Sequence, residues 1–559
     1  MSRAVQGQFH KDDIVTVTIE DLGASGEGIG HADGFTLFIK DALPGDTVRA
    51  KIVKVKKGYG FARLMEIAEP SPFRVDAQCP AARPCGGCQV QELAYERQLE
   101  FKFRKVRENL VRIGGLETSF VDSVLYPVLG MKEPWRFRNK AQYPVGERNG
   151  ELIAGFYAGR THHIVPAQDC LIGAPENALI VRTVLDYMKR YHVSAYDEKT
   201  GKGLVRHILI RSGYYSGQIM VCLVINGTKL PEEDRLVCAL RETASMSSTG
   251  HGAGGAPEWK EDRNTGSMKL FVDEAAPKAA TEIVSISLNI NTEKTNVIMG
   301  PQVRVLWGKD AILDSLQVMD VLPGRDPGND EAAEGKSGDT DSPAGQDGIL
   351  SAAAHTGRGT PVQFLSTGRS VTFRISPLSF YQVNPRQTEK LYSLVRYFAG
   401  LTGNEVVWDL YCGVGTISCF LAQDAKEVYG VEVIPDAIRD ARENARINGL
   451  TNVVFEVGRV EEVLPAYVRR VKEERRAGGG DIVDVVVVDP PRKGCDPLCL
   501  QTILNVAPRR IVYVSCDPAT LARDLRILTG GGYEIRAVQP VDMFPHSVHV
   551  ETVVSLFQP

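Results

Sequence analysis

No stretch of this 559-residue chain reaches the ~18 consecutive apolar residues that a membrane span requires, and the opening segment MSRAVQGQFHKDD has no apolar core of the signal-peptide kind. The expected protein is therefore cytoplasmic and makes no membrane contact. An excess of positive charge is also missing: 65 Lys and Arg stand against 69 Asp and Glu, a formal net charge of −4, so any nucleic-acid surface has to be local. No internal repeat is present. The 11 cysteines are odd in number, unevenly placed and without an export signal, which argues against a disulfide framework and for metal binding or catalysis. What is there is the composition of a globular protein, 43% hydrophobic and 24% charged. At about one domain per ~150 residues, the length predicts three or four domains.

Residues 5–69 read as a small all-β unit, with short strand-forming runs separated by glycine-containing turns such as Gly23 to Gly30. Strands of this length and spacing suggest a barrel of the oligonucleotide-binding sort. Lys51, Lys54, Lys56, Lys57 and Arg63, with Tyr59 and Phe61 among them, combine phosphate-seeking charge with stacking surface. The same lysines would also serve to protect an edge strand from aggregation. Cys79, Cys85 and Cys88 then fall within ten residues, with Gly86 and Gly87 letting the backbone fold closely around a ligand. Cys170 is the next cysteine along the chain. Four cysteines without a nearby histidine fit structural zinc or an iron–sulfur cluster, and the five-residue gap between Cys79 and Cys85 leans toward the cluster. Tyr95 to Ile113 has helical spacing and many Arg and Lys, which suits an RNA-facing helix or a solvated charged face. From Trp135 to Asn296 the pattern is again β. Stretches 243–280 and 322–361 are poor in aromatic and β-branched anchors and are expected to be flexible insertions.

The C-terminal third alternates strand and helix patterns, as a doubly wound parallel sheet does. A first strand runs into Asp409-Leu410-Tyr411-Cys412-Gly413-Val414-Gly415-Thr416, a glycine-rich turn that lets a nucleotide-like ligand approach the backbone. Glu432 ends the next strand, where an acidic side chain bonds ribose hydroxyls. A third glycine is lacking, which favours S-adenosylmethionine over NAD. The strand ending at Val488 delivers Asp489-Pro490-Pro491-Arg492, and the run Ile511 to Val514 delivers Ser515-Cys516-Asp517-Pro518. Cys516 thus sits at a strand's carboxyl end and a helix entrance, where unpaired N–H groups can lower a thiol's pKa. Alone, it would be read as a small buried filler. Its neighbours reverse that reading. C5 of uracil attacks a methyl sulfonium poorly until a thiolate has added to C6, and a base must afterwards remove the C5 proton. Cys516 suits the nucleophile and Glu551, on a late strand, the base.

These residues together resemble the TRAM-domain RNA (uracil-5-)-methyltransferases, bacterial 23S ribosomal RNA type. The resemblance runs from Cys79 to Val554, the two insertions excepted, and is carried by the four cysteines, Phe380 to Asn384, DLYCGVGT, Glu432, DPPRKG, SCDPATLARDL and HVET. It implies a multi-domain α/β protein: a TRAM OB-like barrel over 5–69, an iron–sulfur and central β domain over 70–308, and a Rossmann-like class I methyltransferase domain over 362–559. It also implies a [4Fe-4S] cluster on Cys79, Cys85, Cys88 and Cys170, and S-adenosylmethionine contacts from Gln382, Tyr411, Glu432 and Asp489. Cys516 is the implied nucleophile and Glu551 the implied base. Thr416 falls where some members carry Asn. The expected partner is 23S ribosomal RNA, bound by a monomer, because the family's transfer-RNA members typically lack the barrel and the cluster cysteines. The alternative is the same reaction on the transfer-RNA T-loop uridine. Two other classes fit less well: an inactive RNA-binding module would lack Cys516 or Glu551, and an N-methyltransferase would carry an aromatic where Arg492 stands.

Overall fold

Ile14–Leu22 opens a closed five-stranded barrel, followed around it by Gly28–Ala32, Phe35–Lys40, Tyr59–Glu69 and Thr47–Lys56. Alternation along these strands sends Val17, Ile19, Leu37, Ile39, Val48 and Ile52 into its interior. The same alternation turns Tyr59, Phe61 and Arg63 outward, and the strand register sets Lys56 opposite Tyr59 and Lys54 opposite Phe61. Phe38 joins them with its ring centroid 5.7 Å from each aromatic neighbour. The structure is a computed structural model that describes residues 9–167, 169–249, 258–261, 268–271, 281–322, 362–474 and 483–559.

The central region is a seven-stranded sheet in the order Gln302–Gly308, Glu282–Ile290, Gln218–Ile225, Val205–Ser212, Lys140–Arg148, Glu151–Tyr157, Ile164–Pro166. Helices Asn177–Arg190 and Glu233–Thr249 cover it, the first through Ile180, Val181, Val184 and Met188. Two expectations change here. The region was read as β only, yet a parallel pair, Gln218–Ile225 with Glu282–Ile290, requires a crossover, and the Glu233–Thr249 helix lies within it. That helix runs into the expected 243–280 insertion, and Glu258–Glu261 pairs antiparallel with Met268–Phe271. The rest of that insertion, and 323–361 of the other, lie outside the described residues.

The C-terminal sheet has the order Val453–Val457, Glu427–Glu432, Val406–Leu410, Val485–Val488, Arg510–Ser515, Glu551–Phe557, Glu534–Val541. The first five strands are parallel, and Glu551–Phe557 is antiparallel to both of its neighbours. Runs such as VVWDL and VVVV are buried throughout, as expected for strands with both faces covered.

Helix Tyr95–Arg112 joins the regions. It buries Phe101, Val106 and Leu110, and among its many cations Lys102 is fully buried, so this helix is not simply a solvated charged face. Lys102 Nζ donates to Asp542 Oδ1 at 2.5 Å and to the Phe544 carbonyl at 3.0 Å, and Tyr95 Oη donates to Asp542 Oδ2 at 2.7 Å. Lys102→Met removes the cation and leaves a buried carboxylate with one neutral donor. The expected cost is about 3–5 kcal/mol, the scale for breaking a buried pair from one side, measured as the shift in a denaturant unfolding curve.

Candidate active site

The carboxyl ends of the C-terminal strands open into one cleft of about 820 Å³, and Gln382, Tyr411, Glu432, Asp489, Cys516 and Glu551 all line it. Tyr411 leaves the Val406–Leu410 strand with φ of +65°, followed by Gly413 at +54° and Gly415 at +76°. These left-handed residues turn the chain sharply from strand into helix Thr416–Leu421. A Cβ on Gly415 would stand 2.7 Å from the Phe455 ring, whereas one on Gly413 would meet nothing within 4 Å. Gly413 therefore leaves backbone open to the cleft for a ligand. Asp409, fully buried on the strand, accepts from Ser418 Oγ through Oδ2 at 2.5 Å, but its Oδ1 has no partner. An unpaired buried acceptor is costly and points to a missing donor. The residues thus fit a polar, nucleoside-bearing cofactor. Glu432 ends its strand with Oε1 accepting the Ile434 N–H at 3.0 Å.

Antiparallel pairing sets Cys516 and Glu551 together. Arg510 faces Phe557 and Ser515 faces Thr552, so Cys516 and Glu551 are the residues that follow and precede this last pair, and both line the cleft. Glu551 is 4% exposed, and burial, then the Asp489 charge, push its carboxyl up to about 8. Burial alone pushes Asp489 up to about 7. The Cys516 thiol is pushed up to about 12, by burial first and then by Glu551 and Asp489, against a downward pull from Arg492. Burial and the two carboxylates thus outweigh any lowering at the helix entrance. Asp517 caps helix Pro518–Gly530, its Oδ1 accepting the N–H groups of Ala519 at 2.9 Å and Thr520 at 3.2 Å.

Sequence reasoning placed Phe380 and His549 within motifs but gave them no role, and it missed Phe544. Phe380 is 69% exposed at the cleft's edge, and Phe544 and His549 come from the segment before Glu551. An exposed aromatic and a loop residue carry no periodic signal, although Phe380 stands only two residues before Gln382.

Cys79, Cys85, Cys88 and Cys170 line a second cavity of about 470 Å³. Gly86 is needed there, because a Cβ would stand 2.9 Å from the Tyr157 carbonyl that accepts its N–H. Gly87 N–H donates to Cys85 Sγ at 3.4 Å, and Cys79 N–H to Gln91 Oε1 at 3.0 Å. Burial and then the other thiols push Cys88 up to about 12. Among the described residues, no group of three or more His, Cys, Asp or Glu side chains is arranged to hold a metal ion. Phe380, Gln382 and Phe544 form a wall common to this cavity and the cleft.

The mixed seven-stranded sheet, the glycine turn and the acidic strand ends define a class I methyltransferase. Residues 362–558 match the tRNA (uracil-5-)-methyltransferase family and residues 12–65 the TRAM domain. An RNA methyltransferase of Halalkalibacterium halodurans is 43% identical over 551 residues, covering 99% of this chain and 98% of that protein. One from Listeria innocua is 40% identical over 546 residues, covering 98% of each. The chain belongs to the S-adenosylmethionine-dependent RNA (uracil-5-)-methyltransferase family, as a TRAM-bearing member. Its fold is also that of the Pyrococcus abyssi tRNA (uracil-54, C5)-methyltransferase solved with S-adenosyl-L-homocysteine, at 24% identity and a TM-score of 0.64. That match covers 97% of this chain and 100% of the other.

Proposed function

We propose that this enzyme methylates C5 of a uridine in 23S ribosomal RNA, with Cys516 as nucleophile and Glu551 as general base. The observation that carries the reading is that the paired strands end at Ser515 and Thr552, delivering Cys516 and the buried Glu551 to the lining of one cleft. The Cys516 thiolate adds to C6 of the uracil, and C5 gains the electron density to attack a methyl group. S-adenosylmethionine, when bound, supplies that methyl group. The Glu551 carboxylate then takes the C5 proton, the C6–S bond breaks, and the C5–C6 double bond returns with the thiolate freed. Gln382, Tyr411, Glu432 and Asp489 are the residues that would hold the cofactor, Glu432 at its ribose. The exposed Phe380 ring offers a stacking face for an unpaired base.

Cys79, Cys85, Cys88 and Cys170 would hold the [4Fe-4S] cluster. The reading is supported by the four thiols that line one cavity with no histidine among the proposed ligands. Tyr59, Phe61, Lys54 and Lys56 on the barrel's outer face support RNA binding there. No helix among the described residues is long and apolar enough to cross a membrane, and a cytoplasmic site of action accords with ribosomal RNA as substrate. A second reading, the T-loop uridine of transfer RNA, is favoured by the likeness in fold to the Pyrococcus abyssi enzyme.

Mass-spectrometric mapping of modified uridines in total RNA from cells with and without the gene tests both. Loss of 5-methyluridine from large-subunit RNA is the expected result. Loss from T-loops alone would replace the substrate and keep the chemistry, and no loss anywhere would refute the reading.

A further inference from the structure

The segment Asp542–His549 leads into the Glu551 strand and is gripped from outside its own domain. His546 is its centre, 3% exposed and at φ of +64°, a conformation that non-glycine residues hold only when their surroundings impose it. Its carbonyl accepts the N–H groups of Gln89 and Val90, at 3.0 and 3.1 Å, the two residues that follow Cys88. Its own N–H donates to Gln98 Oε1 at 2.9 Å. The ring stacks on Trp135 with centroids 3.9 Å apart and planes 25° from parallel. Burial keeps that ring neutral, so one nitrogen donates and the other accepts. Nε2 lies 3.1 Å from the Pro134 carbonyl, which can only accept, and Nδ1 lies 3.3 Å from Gln98 Nε2, which can only donate. Every polar atom of His546 is thus used. Trp135, with Cys88 and Cys170, packs on the core of Met131, Phe137 and Ile172. Two residues further on, Val548 closes a small core with Leu22 and Leu43 of the barrel and Val90, Leu93 and Phe101.

We propose that His546 is a positioning residue for Glu551, locking the start of its strand to the Cys88–Val90 segment so that the carboxylate reaches the C5 proton. The inference rests on the uridine C5-methylation reading. Three regions of the molecule meet at this joint, within five residues of a base that works only at hydrogen-bond reach, about 2.6–3.2 Å. Cys516 follows a different strand, which is also held on its far side by parallel pairing with Val485–Val488, and the Asp517 cap fixes the helix entrance beside it. Loosening the joint therefore slows removal of the C5 proton and leaves addition of the thiolate intact. The covalent enzyme–RNA complex accumulates as a result.

His546→Gly keeps the left-handed backbone accessible and removes the ring. Gln98→Met loosens the same joint from the helix side with little change of volume, and serves if the first variant does not fold. Full-length variants are compared with wild type, on the RNA that wild type methylates, for single-turnover rate, KM for RNA and the fraction of protein bound covalently on a denaturing gel. Turnover is expected to fall about 10²-fold, the scale of a base displaced by about 1 Å. KM should stay within about twofold, and the covalent fraction should rise. A folded variant with wild-type turnover overturns the proposal. So does one whose covalent fraction falls in step with turnover, which is what mere structural damage gives. If wild type itself neither methylates nor traps RNA, the function reading falls as well; active wild type with silent variants sinks the His546 role alone.

Discussion

Cys516→Ser is expected to lose about 10⁵- to 10⁶-fold in turnover, the scale of losing a nucleophile that no neighbour replaces. The cleft already disfavours an anion at this position, since burial, Glu551 and Asp489 push the thiol up to about 12. A serine hydroxyl starts as a far weaker acid and a poorer nucleophile, and it would meet the same burial and the same two carboxylates. The change is nearly isosteric, Gly413 and the residues proposed to hold the cofactor are untouched, and calorimetric binding of S-adenosylmethionine should be unaltered. Neither 5-methyluridine nor a covalent RNA complex should form. A variant that kept about a hundredth of wild-type turnover would contradict attack through sulfur, because unassisted C5 gains nothing from the rest of the site. It would favour direct transfer to a heteroatom, the chemistry that calls for an aromatic where Arg492 stands.

Much of the chain was legible because its signals are local. The C-terminal strands are short β-branched runs ending in Asp409, Glu432, Asp489 and Cys516, and a parallel sheet sends all such ends to one side. Once that topology is assumed, the cleft follows. The barrel was legible for a similar reason, since its strands alternate and its turns carry glycine. The approach of Glu551 to the Cys516 end of the sheet was not, because it depends on a register between strands separated by helix Pro518–Gly530 and strand Glu534–Val541. The thiol's acidity was not legible because a sequence displays the helix entrance but not the burial and the Glu551 and Asp489 carboxylates that push Cys516 the other way. The Asn177–Arg190 helix was overlooked within a stretch dominated by β patterns. Nothing local marked His546 or Lys102 either. Their partners lie more than 400 residues away along the chain, so their roles come into view only when the N-terminal helix is docked.

Glu551→Gln should separate the two halves of the reaction. The amide keeps the shape of the side chain but cannot take the C5 proton, so overall turnover falls by about 10²- to 10⁴-fold, the usual worth of a general base. Cys516 still adds and the methyl group still arrives, and the adduct then has no way to collapse. A covalent RNA complex carrying the transferred methyl group should therefore persist on a denaturing gel, where Cys516→Ser gives none. The pH dependence follows from the same group. In the free enzyme the Glu551 carboxyl is pushed from its ordinary 4.5 up to about 8, so at neutral pH it mostly holds a proton and cannot accept another. Wild-type kcat/KM should climb steeply toward 8, where Glu551 and the Cys516 thiol both gain charge with pH, and more gently above it, where only the thiol, held at about 12, still titrates. The residual rate of the variant should lack the steeper limb. Stability moves the other way. Between 4.5 and 8 the folded protein binds a proton that the unfolded chain has released, so the Glu551 contribution to folding stability declines as pH rises through this window. Glutamine has no charge to bury. Glu551→Gln should therefore unfold at higher denaturant than wild type at pH 9 and match it near pH 4, gaining stability where it loses catalysis. A variant no more stable than wild type at pH 9 would mean that the carboxylate is solvated or paired in solution, and a base held near 8 would then be the wrong account of the rate.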